Sequence, residues 1–238
     1  MGKTTQGAFD MVYHHIDAPT VQDDEYGREF KKRKLIVPGE GETECYRSPL
    51  LAYLADSPWV YSRKVDGENI RIQWDGEQAL WNGKSNAFQC SAEFTDYMNR
   101  TFLEEIFEEK LGRDKVVTIF GEKMGPKTQG NELGLGKEEL VIFDVNINGA
   151  WLCGEDVVDV ADYFRARTVF DFMPGALHES KTLRELIEMC AKGDFKDWEG
   201  IVATPLVECR DQKGSRVIVK IKTKDYLRTE GGKQNGRV

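Results

Sequence analysis

The segment from Trp59 to Trp74, WVYSRKVDGENIRIQW, constrains the fold of this chain more than any other. Val60 and Tyr61 lead into Lys64, Asp66 and Gly67 make a tight turn, and Ile70 and Ile72 alternate with polar neighbours. Apolar residues at period two on either side of an Asp-Gly step read as strand, turn, strand. Lys64 is thereby placed at the end of a strand, beside a glycine that lets a ligand approach the backbone closely. Such a lysine can be a nucleophile, provided that nearby groups lower its pKa. Lys-x-Asp-Gly alone should occur by chance in roughly one chain in twenty of this length. A hairpin turn with a solvated lysine explains it without any chemistry. The meaning of Lys64 therefore depends on what the later segments bring to it.

Composition sets the outer bounds. The 238 residues are 40% hydrophobic and 31% charged, which is the balance of a soluble globular protein with room for a sizeable core. No run approaches the length of a membrane span, and MGKTTQGAFD lacks the apolar centre of a signal peptide. Gln6 breaks the myristoylation pattern. Five scattered cysteines without a Cys-x-x-Cys pair point to reduced thiols in a cytoplasm and away from a zinc site. With three histidines, of which His14 and His15 are adjacent, histidine catalysis is disfavoured. The net charge of −8 does not advertise a nucleic-acid binder, although local basic patches matter more than the sum. One such run, REFKKRK from Arg28 to Lys34, either holds phosphates of a polynucleotide or is a solvated face before the Pro38-Gly39 turn.

Further elements follow in order. SPLLAYLAD, residues 48–56, reads as a short helix with Ser48 as cap and Pro49 in the first position. Leu80 and Trp81 suggest a strand and Asn82-Gly83 a turn, putting Lys84 on the sheet of Lys64 if these strands pair. Ser91 to Leu111 is the strongest helix, with Phe94, Tyr97, Met98, Phe102, Ile106 and Leu111 on one face and Gly112 as its stop. Lys115 to Glu122 and Glu139 to Asn148 are apolar strands, and the second carries Asp144 in its middle. A carboxylate there must be paired, solvated or functional. Glu155 to Phe164 and Ser180 to Lys192 read as helices. Glu199 to Thr204 and Arg216 to Lys222 read as strands, the latter with Arg216, Ile218, Lys220 and Lys222 on one face.

The polar residues at strand ends or inside apolar strands are Lys64, Asp66, Lys84, Glu122, Asp144, Glu199, Lys220 and Lys222. That set suits nucleotidyl transfer through a covalent lysine. A free lysine titrates near about 10.4, so little of it is nucleophilic at neutral pH. The cations Lys220, Lys222 and a bound magnesium ion would disfavour its charged form and stabilise charge on phosphorus in the transition state. Glu122 and Glu199 offer oxygens to magnesium or to a ribose, and Phe143 a flat face to a purine.

The order KVDG, FGE, VIFDV, EGIV, KIK closely resembles the covalent nucleotidyltransferase superfamily, which contains DNA ligases, RNA ligases and capping guanylyltransferases. The resemblance runs from Trp59 to about Tyr226. Asn69 after the KVDGE turn, and FGEKMGPKTQG, look most like the RNA ligase 2 family. The resemblance implies a mixed α/β fold of the nucleotidyltransferase, ATP-grasp-like kind, with mostly antiparallel sheets flanked by helices. It implies Lys64 as the nucleophile that takes AMP from ATP, Asn69 near the α-phosphate, Glu122 at the ribose and Phe143 on the adenine. Asp66, Gly67 and Asp144 would support the site, Glu199 would bind or orient Mg2+ (with Mn2+ as a substitute), and Lys220 and Lys222 would hold the α-phosphate. Two positions depart from the family pattern: Lys84 stands where Arg is usual, and Arg63 where an acid is common.

The expectation is therefore an ATP-dependent RNA ligase. It would join RNA 3′-OH and 5′-phosphate ends through lysyl-AMP and RNA-adenylate in RNA repair. It would act as a cytoplasmic monomer, with a phage gene acting in its host's cytoplasm as the expected origin, and with no membrane partner. The alternatives are a minimal DNA ligase, a GTP-dependent guanylyltransferase or a non-catalytic nucleotide- or RNA-binding module. Residues 1–226 are expected to form the adenylation domain, with 1–47 as an N-terminal extension. Residues 227–238 are expected to be a flexible tail, with no separate C-terminal domain.

Overall fold

The structure, a computed structural model, describes residues 11, 13–30, 34–84, 88–128, 132–173 and 179–228. Its elements begin with α1 (Asp24–Phe30), α2 (Pro49–Leu54), β1 (Pro58–Lys64), β2 (Glu68–Trp74), β3 (Ala79–Gly83), α3 (Ala92–Thr101), α4 (Glu104–Leu111) and β4 (Val117–Met124). They continue with β5 (Glu139–Ile147), β6 (Ala150–Trp151), α5 (Gly154–Tyr163), β7 (Arg167–Thr168), β8 (Lys181–Thr182), α6 (Leu183–Lys192), β9 (Gly200–Pro205), β10 (Val219–Lys222) and α7 (Thr223–Tyr226). The expected class is the observed one: mixed α/β, with antiparallel sheets flanked by helices.

The chain divides into two compact units. One comprises His15–Lys64 and Gly175–Val238; the other comprises Met1–His14 and Val65–Pro174. In the first, the strands run in the order β10-β9-β1-β8, all antiparallel. Trp59, Ile201, Ala203, Val219 and Ile221 are buried in this sheet, and α6 packs on β8, β10 and α7 with Leu183, Leu186, Ile187 and Cys190 buried. Ser48 caps α2 by accepting a hydrogen bond from Leu51 N at 3.2 Å, as the Ser-Pro pair predicts. Residues ahead of β1 belong to this fold: Asp17 bridges Val219, and the Thr20 and Tyr226 hydroxyls lie 2.8 Å apart. Arg228 donates to Leu35 O at 2.6 Å and lies over the Tyr26 ring at 4.4 Å, so fixed structure continues past Tyr226. The remainder of the expected tail, 229–238, and residues 31–33 of the basic run lie outside the described residues.

In the other unit the order is β3-β2-β4-β5-β6, antiparallel, with β7 parallel to β5. Strand alternation puts Ile70, Ile72 and Trp74 on one face of β2, where they join Val117, Ile119, Leu140, Ile142 and Val145 in one core with α3, α4 and α5. Asn69, Arg71 and Gln73 fall on the opposite face.

Four expectations need correction. β1 and β2 are strands joined by a turn, but they are not partners: β1 pairs with β9 and β8, β2 with β3 and β4. The Asp-Gly turn carries the chain from one sheet to another. Asn82 and Gly83 are strand residues opposite Arg71 and Ile70, so Lys84 follows a strand of the second unit and is not on the sheet of Lys64. The helix read over 91–111 breaks at Phe102 and Leu103, and Leu103 is extended. Five residues apart on one helix, Phe102 and Phe107 would diverge by about 140°; the break lets both rings reach Phe164, at 5.1 and 4.6 Å. Finally, the regular β10 ladder starts at Val219, and Arg216 instead bridges Arg210.

Candidate active site

Three strands set the geometry around Lys64. In the β1–β9 ladder Lys64 stands opposite Gly200, and in the β9–β10 ladder Gly200 stands opposite Lys222. The register thus places both lysines in line across one glycine. Gly200 is required there, because a Cβ would lie 2.1 Å from Ile221 O and 2.8 Å from Lys222 Cα. Glu199, one residue earlier, joins the two cations. Its Oε2 pairs with Lys64 Nζ, and its Oε1 with Lys222 Nζ at 2.5 Å. The side chains of Lys64, Glu199 and Lys222 are 22%, 13% and 25% exposed, so the cluster is partly shielded yet reachable from solvent.

Burial pushes the Glu199 carboxyl up, but hydrogen bonds from Lys222 and Lys64 outweigh it and hold the group below its ordinary 4.5. Lys220 falls below its ordinary 10.5, chiefly through burial and then through the positive charge of Lys222; Asp17 opposes the shift and Lys64 adds to it. Lys220 N donates to Asp17 O at 3.0 Å, which ties β10 to the segment before α1. Arg63, at the position where an acid was expected, has its guanidinium 5.2 Å over the Trp198 ring. Trp198 stacks in turn on Phe195 at 5.2 Å, so the residue before Glu199 is itself held.

The remaining expected residues lie in the other unit. Asn69 and Glu122 face each other across the β2–β4 ladder. Gly67 is hemmed in: a Cβ would meet Lys123 O at 2.5 Å and Met124 Sδ at 2.6 Å. Asp66 N donates to Glu132 Oε1 at 3.0 Å, which fixes the turn after Lys64. Phe143 occupies a β-bulge, because Phe120 pairs with Asp144 and Gly121 with Ile142, leaving Phe143 without a partner on β4. It is half-buried and packs against the cluster of Val65, Met124, Leu135, Val141 and Val169. Asp144 is 4% exposed and accepts from the Tyr13 hydroxyl at 2.9 Å. Lys84 is exposed.

The structure therefore brings Lys64, Glu199, Lys220 and Lys222 together, pairs Asn69 with Glu122, and sets Phe143 beside Asp144. Sequence reasoning missed Tyr13, Glu132, Asp17 and Trp198. Trp198 alone left a signal, an aromatic directly before the Glu-Gly step. Among the described residues no group of three or more His, Cys, Asp or Glu side chains gathers as a metal-ligand set. A site for magnesium here would have to rest on one carboxylate and on oxygens of a bound phosphate, which is magnesium's usual habit.

Comparison with known proteins bears on this arrangement. A family model described as RNA ligase matches residues 57–222, ending on Lys222. Among solved structures, a mutant of Naegleria gruberi RNA ligase with AMP and Mn aligns with a TM-score of 0.54 at 15% identity, covering 75% of this chain and 53% of that one. Another mutant of that enzyme, with ATP and Mn, gives the same values. A third, also with ATP and Mn, gives 0.53 at 16%, covering 73% and 52%. At these identities the likeness is one of fold, and the chain spans about half the length of the structures it matches. No curated protein matches the sequence. With the family model covering most of its length, from β1 through β10, the chain belongs to the RNA ligase family.

Proposed function

We propose that the protein is an ATP-dependent RNA ligase of the RNA ligase 2 type, sealing RNA 3′-OH and 5′-phosphate ends in RNA repair. The observation that carries this reading is the alignment of Lys64, Gly200 and Lys222 across three strands, with Glu199 bridging the two lysines. A lysine engaged by a carboxylate must be released before its nitrogen can attack. In this reading the triphosphate draws Lys222 and Lys220 to its own oxygens and so loosens Glu199 from the cluster. Glu199 would then be the residue to hold Mg2+ or Mn2+ through a carboxylate oxygen, and the ion would supply neutralisation of phosphate charge.

Lys64 gives up its ammonium proton to solvent, and the free amine attacks the α-phosphorus of ATP. The N–P bond forms, the bond to the pyrophosphate oxygen breaks, and pyrophosphate leaves. AMP then passes from Lys64 to an RNA 5′-phosphate, and a 3′-hydroxyl displaces it. Lys220 and Lys222 hold the α-phosphate and stabilise its developing charge throughout. Asn69 would sit near the α-phosphate, Glu122 at the ribose and Phe143 on the adenine, with Asp66, Gly67 and Asp144 as supports. Lys84 is proposed as a phosphate contact on the strength of the resemblance alone. We place the protein in the cytoplasm, as a monomer, on the cysteine usage and the family resemblance.

Intact-protein mass spectrometry after incubation with ATP or GTP and magnesium tests this. The expected result is the gain of one AMP with ATP, reversed by pyrophosphate and absent in Lys64→Ala. Failure of the folded wild type to gain AMP, or an adduct that survives Lys64→Ala, would overturn the reading.

A further inference from the structure

Residues 1–56 lie outside the stretch matched by the family model, yet one of them reaches the β5 bulge. Tyr13 donates its phenol hydrogen to Asp144 Oδ2 at 2.9 Å. Its ring meets Phe143 edge-on, with centroids 5.1 Å apart at 81°. Phe120 and Trp151 lie 4.9 and 5.8 Å from the same ring, and His14 stacks on it at 4.9 Å.

These contacts answer two needs of β5. A carboxylate as buried as Asp144 is costly unless its oxygens accept hydrogen bonds. Phe143 stands in the bulge, where the ladder pairs it with no residue of β4. One side chain serves both. We infer that Tyr13 is a positioning residue for the purine: it sets the ring orientation that Phe143 presents to the base and holds Asp144 beside it. Tyr13 thereby supports the nucleotide site from outside the stretch that the family model matches. The inference rests on the reading of Phe143 as the purine platform. Tyr13 acts through Phe143 and Asp144 and needs no contact with the nucleotide itself.

The test separates the base from the phosphates. The KM for ATP and the saturating rate of AMP-adduct formation are measured for wild type, Tyr13→Phe and Tyr13→Leu. Inhibition by adenosine and by tripolyphosphate is measured alongside, with circular dichroism to establish folding. Tyr13→Leu is expected to raise KM for ATP, and to weaken adenosine inhibition, roughly 10-fold. Its saturating rate should stay within about 2-fold of wild type, and tripolyphosphate inhibition should not move. Tyr13→Phe keeps the ring and should lose only roughly 3-fold on the adenosine side.

A folded Tyr13→Leu protein with wild-type KM overturns the inference. So do equal losses for adenosine and tripolyphosphate, which would mark a general weakening of the fold. If Tyr13→Leu does not fold, Tyr13→Phe decides, and unchanged adenosine inhibition overturns the inference. A wild type that forms no adduct would instead refute the ligase reading itself.

Discussion

Gly200→Ala is the most searching perturbation of the lysine cluster, because it alters no charged group. The new Cβ would fall 2.1 Å from Ile221 O and 2.8 Å from Lys222 Cα, where real Cβ contacts stay beyond 3.0 Å. Both are main-chain atoms, so no side chain can swing away and β10 itself must retreat. A retreat of about 1 Å between paired strands costs about 1–3 kcal/mol as overpacking. The same movement carries Lys222 off Glu199, now 2.5 Å away, and strains the bond from Thr223 N to Glu199 O at 2.9 Å. A misplacement of this size at a reacting centre slows chemistry by about 100-fold. Urea unfolding should show the lower midpoint, and mass spectrometry the slower adduct, with the protein still folded. Wild-type stability together with a wild-type adduct rate would refute the steric argument. Lost stability with an unchanged rate would refute the claim that strand register positions the lysines.

Three further perturbations read single contacts. Glu199 titrates below its unfolded value of 4.5, so the stability it contributes is present above that value and lost as pH falls through the lowered folded one. The difference between wild type and Glu199→Gln in urea should hold from about pH 7 to about pH 5 and change below it; a difference constant into stronger acid would contradict the assignment. Lys222→Met removes the nearby charge that, after burial, depresses Lys220, so the Lys220 ammonium should titrate higher by NMR while staying below 10.5. A lower or unmoved titration would count against that coupling. Glu132→Ala takes the side-chain acceptor from Asp66 N, and exchange of that amide should quicken by about 5-fold, equivalent to about 1 kcal/mol. An unchanged exchange rate would mean that the turn is held by something else.

The strands, their order and most of the lysine cluster were legible because each carries its own local signal. Ile70 and Ile72 alternate, Asp144 interrupts an apolar run, and Lys220 and Lys222 share a strand face. Pairing was not legible. An Asp-Gly turn looks the same in a hairpin and in a crossover, and the partner that captures β1 lies around residue 200, with Glu199 135 residues beyond Lys64. The break at Phe102 was hidden because apolar residues continue on both sides of it, and only Phe164, far along the chain, rewards the kink. Tyr13 and Glu132 left no trace, since each is a lone residue in a weakly periodic segment and acts through contacts distant in sequence.

The interrupted sequence of the first unit, with Val65–Pro174 lying between its two parts, has a consequence for synthesis. At about 5–20 residues per second, a ribosome that has just made Lys64 needs about 7–27 seconds more to reach Glu199. During that interval β1 lacks β9 and β10, while the strands and helices of the inserted unit can already fold on one another. The lysine cluster therefore assembles only after the inserted unit has been made. On the proposed ligase reading, a nascent or prematurely terminated chain that carries Lys64 but not Glu199, Lys220 and Lys222 would have the attacking lysine without the groups proposed to hold the phosphate. The order of the strands alone thus sets when this cluster can form.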